Sequence, residues 1–456
     1  MTKTTTQFAA LALSAAGADA QTPPNLKALQ GLAPVSALGN TDPGRAALAG
    51  NLAITGDIQD GTARQPTLLP FPEQQQQALR DAFITGRNAY ELADGLGSKL
   101  GGAYQASTSY TSEDDGKHPA FTSISPALAQ LIGYAYATSS SDAGSGKYFF
   151  GNGTSDGKTP VSAAAMTILK GVAGTTDIFG KAYALPMGSK NADPYGDSRP
   201  FQTEPHLVPI EGKDFFGVPS GNIAYLRGPT QDLTESPSFP SGHTTYGYVE
   251  ALLLAILVPE RYEQMVARAA EYGNDRIILG AHYTMDVLGG RTLATYDLAQ
   301  LLANKPGYVG VERNGVEIDD FPQALAAARA DLVKALEAGC GNRIAICAKE
   351  DRSRFAQPAK NLAFYEATET YGLPVVFAQN AKGTEDVGRL APEAGYLLTA
   401  AFPDLTLAEA DAILTATEGP GGGFLDNGSA FGVYSRLDLY RAAQKASAAA
   451  HHKSAG

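Results

Sequence analysis

The chain has 456 residues, 44% of them hydrophobic, which allows two or three domains with real cores and excludes a disordered protein. A formal net charge of -12 repels polyanions, whose recognition needs clustered Lys and Arg, so no nucleic acid partner is expected.

In chain order, residues 1–20 carry Lys3, a short apolar stretch from Phe8 to Ala16, and Ala18-Asp19-Ala20 ahead of Gln21. That is the small-x-small pattern of an export signal, which predicts a periplasmic or secreted protein. An Ala-rich disordered N-terminus would share much of this composition. No later segment reaches the roughly 18 consecutive apolar residues of a membrane span; the best, Ala251 to Pro259, is followed by Glu260 and Arg261. Residues 21–70, rich in Pro, Gly, Thr and Asn, read as an extended N-terminal arm.

From Glu73 to Leu100 the sequence turns helical, with Leu79, Phe83, Tyr90, Leu92 and Leu96 near one side of a 3.6-residue period. Further helical patterns fall at about 125–137, 161–173, 243–258, 260–279 and 284–303, while strand-like alternation is scarce before residue 340. The fold class expected is therefore all-α, a helical bundle over 71–304. The small polar run from Thr138 to Thr159 around Tyr148-Phe149-Phe150 reads as a loop, either plain surface or a lid.

Past Lys305, a helix near 321–338, a β-like run at Ile344–Cys347 and helices near 361–371 and 406–417 outline a smaller, mainly helical C-terminal accessory region, 305–456. The Gly-rich segment 418–424 is expected as a loop and the tail from Ala442 as frayed. Cys340 and Cys347, with no histidine close in sequence, fit a small disulfide loop better than zinc; two buried thiols are the alternative.

Three clusters carry the chemistry. The segment 190–201 offers Lys190 and Arg199 among Pro, Gly and Asp, hence on a loop; a guanidinium matches phosphate oxygens bidentately and an ammonium adds a point charge. Any basic surface loop would look similar. At 238–245, S-F-P-S-G-H-T-T stands before an apolar helix: Ser241 is a natural cap, Gly242 admits close backbone approach, and His243 falls in the first turn. Such a helix start presents free amides to an anion. A capping serine beside a core histidine would leave the same signature. The third cluster, 274–286, spaces Arg276, His282 and Asp286 as R-x5-H-x3-D. A carboxylate one turn beyond an imidazole can hold one ring nitrogen and leave the other nucleophilic. Gly280, just before His282, suggests a break between helices.

In this order the clusters resemble the superfamily of type 2 phosphatidic acid phosphatases, which includes bacterial non-specific acid phosphatases and vanadium haloperoxidases. P-S-G-H is complete at 240–243, and the third motif is complete except that Asp275 stands where Ser is usual. The first departs: eight residues rather than six separate Lys190 from Arg199-Pro200, which puts the role of Lys190 in doubt.

The resemblance implies a helical fold over roughly 70–300 and a metal-independent, cofactor-free acid phosphatase acting on a small phosphorylated substrate. It makes His282 the nucleophile that becomes phosphohistidine, Asp286 its orienting partner and His243 the general acid and base. Arg199, Arg276 and Lys190 would hold the equatorial oxygens with Ser241 and the Gly242 amide. A protonated His243 and a neutral His282 together imply a bell-shaped rate profile on the acid side of neutral. The same nest accepts vanadate, so a haloperoxidase is the alternative, although the chain has no Trp. A non-catalytic binding module is a second alternative, and lipid phosphates are alternative substrates.

Overall fold

The structure is a computed structural model that describes residues 25–32, 35–63, 67–82, 89–108, 110–112, 119–121, 123–152, 163, 167, 199–203, 207–222 and 237–455. The export signal expected at 1–20, nearly all of the helix expected at 161–173, and Lys190 lie outside the described residues.

Among the described residues, helices of ten residues or more are α1 (Asp42–Asp60), α2 (Phe71–Asp81), α3 (Gly97–Ala106), α4 (Pro126–Asn152), α5 (Gly242–Leu257), α6 (Tyr262–Ile278), α7 (Thr284–Leu302), α8 (Phe321–Cys340), α9 (Pro358–Thr370) and α10 (Leu439–Ala455). Among the described residues strands are confined to two short antiparallel hairpins, Tyr110–Ser112 with Pro119–Phe121 and Glu211–Lys213 with Pro219–Gly221. The fold is all-α, as expected.

The bundle is built around α5, α6 and α7. Every residue of α7 is buried, as is nearly all of α5; helices apolar or satisfied on all faces belong inside a core. Thr292 and Thr295 of α7 return their hydroxyls to the carbonyls of Leu288 and Arg291, both at 2.8 Å, so these polar residues cost little there. Among the described residues no helix is long and apolar enough to cross a membrane.

Several elements differ from the sequence reading. The expected extended arm is helical: Thr41 caps α1 by accepting from the Gly44 amide, Asp42 and Pro43 fill its first turn, and Gly61 ends it at φ 79°. The continuous helix expected from Glu73 is interrupted, α2 ending at Asp81 and a 3-10 turn at Leu92–Leu96 preceding α3. The polar run expected as a loop from Thr138 belongs to α4 as far as Asn152. Two of its hydroxyls bond back within the helix, Thr138 to the Tyr134 carbonyl at 2.9 Å and Ser139 to the Ala135 carbonyl at 3.1 Å, and Gly146 serves close packing. A Cβ on Gly146 would come within 2.8 Å of Leu32 and 3.1 Å of Pro240.

Ile344–Cys347 is one helical turn rather than a strand, and Cys340 and Cys347 are disulfide-bonded. The Gly-rich 418–424 segment is irregular, as expected. The tail is not frayed at Ala442: α10 runs to Ala455 because Ala442, Ala443 and Ala446 are fully buried at helical spacing. Residues beyond 305 share the apolar core of the bundle. The Tyr262 hydroxyl donates to the Leu397 carbonyl, and Arg329 Nη2 donates to the carbonyls of Ile256 and Ala400.

Candidate active site

His282 lies between α6 and α7, not within either. Gly280 ends α6 in the left-handed region at φ 73°, and a Cβ there would collide with Leu207. The amides of Ala281 and His282 fold back onto the Arg276 carbonyl, so the end of α6 fixes the start of the histidine turn. Asp286, in the first turn of α7, reaches back: its Oδ2 accepts from the Tyr283 amide at 2.7 Å, accepts from the Ser238 hydroxyl, and stands 3.4 Å from His282 Nδ1. Ser238 Oγ is itself 3.3 Å from Nδ1.

On the other side of the ring, His282 Nε2 faces Arg199 Nη1 at 2.9 Å. A guanidinium has donors only, so Nε2 presents its lone pair and the neutral ring carries its proton on Nδ1, toward Asp286. Arg199 is held by Nη1 donating to the Ala281 carbonyl at 3.2 Å, while the next residues turn at Pro200 and the Phe201 amide donates to the Gly280 carbonyl at 2.9 Å.

Ser241 caps α5, its hydroxyl accepting from the Thr244 amide at 3.1 Å while its own amide donates to the Asp286 carbonyl at 2.9 Å. Gly242 and His243 follow as the first residues of α5. A Cβ on Gly242 would come 3.1 Å from the Tyr246 hydroxyl. The His243 ring centre lies 6.0 Å from that of His282; His282 has no exposed surface and His243 keeps 8%.

Arg276 is buried, and its charge acts on both rings. It stacks on Tyr272, 4.5 Å from the ring centre, and its Nη2 donates to the Tyr272 hydroxyl at 2.6 Å and to the Asp81 carbonyl. Asp275, where the sequence pattern has Ser, points away into a buried ionic cluster. Burial, with Asp81 and Glu271 adding like charge, pushes its carboxyl well above the usual range. Arg268 binds Asp81 through two bonds of 2.6 and 2.8 Å, and Arg354 binds Glu271 and Asp94.

The electrostatics of the pair are consistent. Burial, then the charges of Arg199, Lys147, His243 and Arg276, hold His282 well below the usual imidazole range. Burial and the charges of Arg276, Arg199 and Lys147 do the same to His243. Burial raises Asp286 to about 6 against the Ser238 and Tyr283 hydrogen bonds. The surroundings of the two neutral imidazoles are thus cationic, an arrangement that favours an anion.

The structure therefore brings together Arg199, Ser241, Gly242, His243, Arg276, His282 and Asp286. Lys190 falls outside the described residues. Sequence reasoning missed Ser238, Lys147 and Asp81. Ser238 stood inside the quoted segment, bracketed by Pro237 and Pro240, but nothing local marked its hydroxyl as the partner of a carboxylate 48 residues away. Among the described residues no three His, Cys, Asp or Glu side chains gather in a way that could hold a metal ion.

Comparison with known proteins bears on the same segment. Residues 195–302 match the family model of the PAP2 superfamily, a span that includes each gathered residue and begins after Lys190. The chain is 42% identical over 69 residues to a non-specific acid phosphatase of Salmonella typhimurium, covering 15% of this chain and 28% of that protein. It is 29% identical over 143 residues to a non-specific acid phosphatase of Providencia stuartii, covering 29% and 56%. Over 105 residues it is 33% identical to an acid phosphatase of Zymomonas mobilis, covering 23% and 34%. The chain thus spans between 28% and 56% of the length of these curated relatives.

Proposed function

We propose that this chain, whose residues 195–302 form a PAP2 superfamily domain similar to bacterial acid phosphatases, hydrolyses small phosphate monoesters without a metal, through a phosphohistidine on His282. The observation that carries the reading is the His282 ring, with its Nε2 lone pair turned toward Arg199 and its other nitrogen toward Asp286, 6.0 Å from a second buried imidazole.

Phosphoryl transfer spreads charge over three oxygens, so catalysis is mainly positioning plus cationic stabilisation. Arg199 moves its Nη1 bond from Nε2 to a phosphate oxygen as the ester enters, and Arg276 contributes charge. The Gly242 amide and the helix start of α5 add donors. Each charge-assisted bond supplies about 1.5–3 kcal/mol.

In the first step the Nε2 lone pair attacks phosphorus, the P–O ester bond breaks, and His243 gives its proton to the leaving alkoxide. Asp286 and Ser238 hold Nδ1 and offset the positive charge that develops on the ring. In the second step a water attacks phosphorus, His243 takes its proton, and the N–P electrons return to Nε2. Because His243 is neutral in the empty site, it gains its proton with the bound anion, whose charge offsets the three cations that depress it. A phosphate monoanion supplies both charge and proton, which favours acid conditions.

The test is a panel of phosphate monoesters assayed with EDTA, comparing the wild type with His282→Ala. Turnover is expected to survive chelation and to fall by about a thousandfold or more in the variant. Loss of turnover with EDTA, or a fully active alanine variant, refutes the mechanism.

A further inference from the structure

Lys147 lies on α4, far in sequence from every motif of the phosphate site, yet its ammonium ends at that site. Its Nζ donates to the Pro237 carbonyl at 2.7 Å and to the Pro240 carbonyl at 3.4 Å, the two ends of the turn that leads into α5. Two prolines leave that turn without two amide donors, so it cannot be held by an ordinary ladder or helix. A side-chain cation with several donors is suited to gathering its carbonyls.

The face of α4 that reaches the site is regular. Tyr136 packs on Tyr246 with ring centres 4.7 Å apart, and Lys147 follows three turns later on the same side. Gly146 permits the approach, since a Cβ there would press on Pro240 and Leu32. The turn clamped in this way presents Ser238, which bonds Asp286, and Ser241, which caps the helix of His243.

We infer that Lys147 is a positioning residue of the phosphate site: its ammonium clamps the Pro237–Pro240 turn, thereby aligning Ser238 with Asp286 and His243 with His282, and places a third positive charge beside Arg199 and Arg276. For its activity arm this rests on the phosphatase reading. The charged and titratable groups facing His282 are Lys147 from α4, Arg199, His243 from α5, Arg276 from α6 and Asp286 from α7. Removing the ammonium leaves the other four in place.

Three measurements on Lys147→Met and Lys147→Arg decide the matter: inhibition by inorganic phosphate, the pH dependence of kcat and KM, and the histidine titrations followed by NMR. For Lys147→Met, phosphate inhibition weakens by about tenfold or more. Its kcat falls by up to about a hundredfold as the turn shifts, and the titrations of His243 and His282 move upward because a depressing cation is gone. Lys147→Arg, which keeps the charge and the donors, recovers most of all three. A folded Lys147→Met with unchanged phosphate inhibition and unchanged titrations overturns the inference. If Lys147→Met does not fold, Lys147→Arg carries the test: near-wild-type phosphate inhibition supports the role, and its loss in a folded protein overturns it. If the wild type cleaves no ester, the phosphatase reading falls by itself. Phosphate binding by calorimetry and the histidine titrations then still judge Lys147.

Discussion

Replacing Ser238 with alanine isolates the support of the nucleophile from the nucleophile itself. In the folded protein the Ser238 hydroxyl donates to Asp286 Oδ2 and stands 3.3 Å from His282 Nδ1, while the Tyr283 amide donates to the same carboxylate oxygen at 2.7 Å. A hydrogen bond to a charged group contributes about 1.5–3 kcal/mol, and 1.36 kcal/mol is tenfold in rate, so Ser238→Ala should lower kcat by about 10- to 150-fold. The amide remains, which favours the lower half of that range.

The variant should also change the pH profile. Burial already raises Asp286 to about 6, and the Ser238 bond is the largest effect opposing it. Without that bond the carboxyl rises further, so the ionised form that orients His282 Nδ1 is lost at a higher pH on the acid side. The acid limb moves upward, and activity at pH 5 falls more than activity at pH 8. Hydrolysis of p-nitrophenyl phosphate across that range, with a melting curve to establish folding, is the assay. A kcat within about threefold of wild type and an unmoved acid limb would show that Ser238 does not support the histidine.

Arg354, from the C-terminal region, donates to both oxygens of fully buried Glu271 and to Asp94. Arg354→Leu takes these bonds from Glu271, which keeps the Gln74 amide at 3.3 Å and Arg268 Nη1 at 3.4 Å, and should cost about 1.5–3 kcal/mol in urea denaturation; a loss below about 1 kcal/mol would contradict this. Asp142 on α4 is buried, and its carboxyl is raised to about 6. Its folded value lies above its unfolded one, so its contribution favours the fold at low pH and is lost as pH rises through about 6, a swing of about 3 kcal/mol. Asp142→Asn should therefore gain stability over the wild type at pH 8 relative to pH 4. Equal differences at both pH values would refute that sign.

The sequence by itself determined the local parts of this protein. The capping serine, the glycine and the histidine of 241–243 are a helix start, and Gly280 is a helix end, whatever surrounds them, because capping and left-handed backbone are decided within a few residues. The spacing of His282 and Asp286 likewise put a carboxylate within reach of an imidazole. The mistaken loop from Thr138 shows where that reasoning stops: small polar residues favour loops in water, but inside a core they return their hydroxyls to the helix and let neighbours approach.

Only the tertiary structure decided what those parts face. Lys147 meets carbonyls 90 and 93 residues away, Ser238 meets a carboxylate 48 away, and Arg276 rests on the carbonyl of Asp81. It also placed Asp275 among buried carboxyls rather than at the site. These pairings depend on how buried helices are stacked, and burial is what turns a distant ammonium or hydroxyl into a strong influence on an imidazole: with water excluded, charges act at full strength and polar groups must find partners.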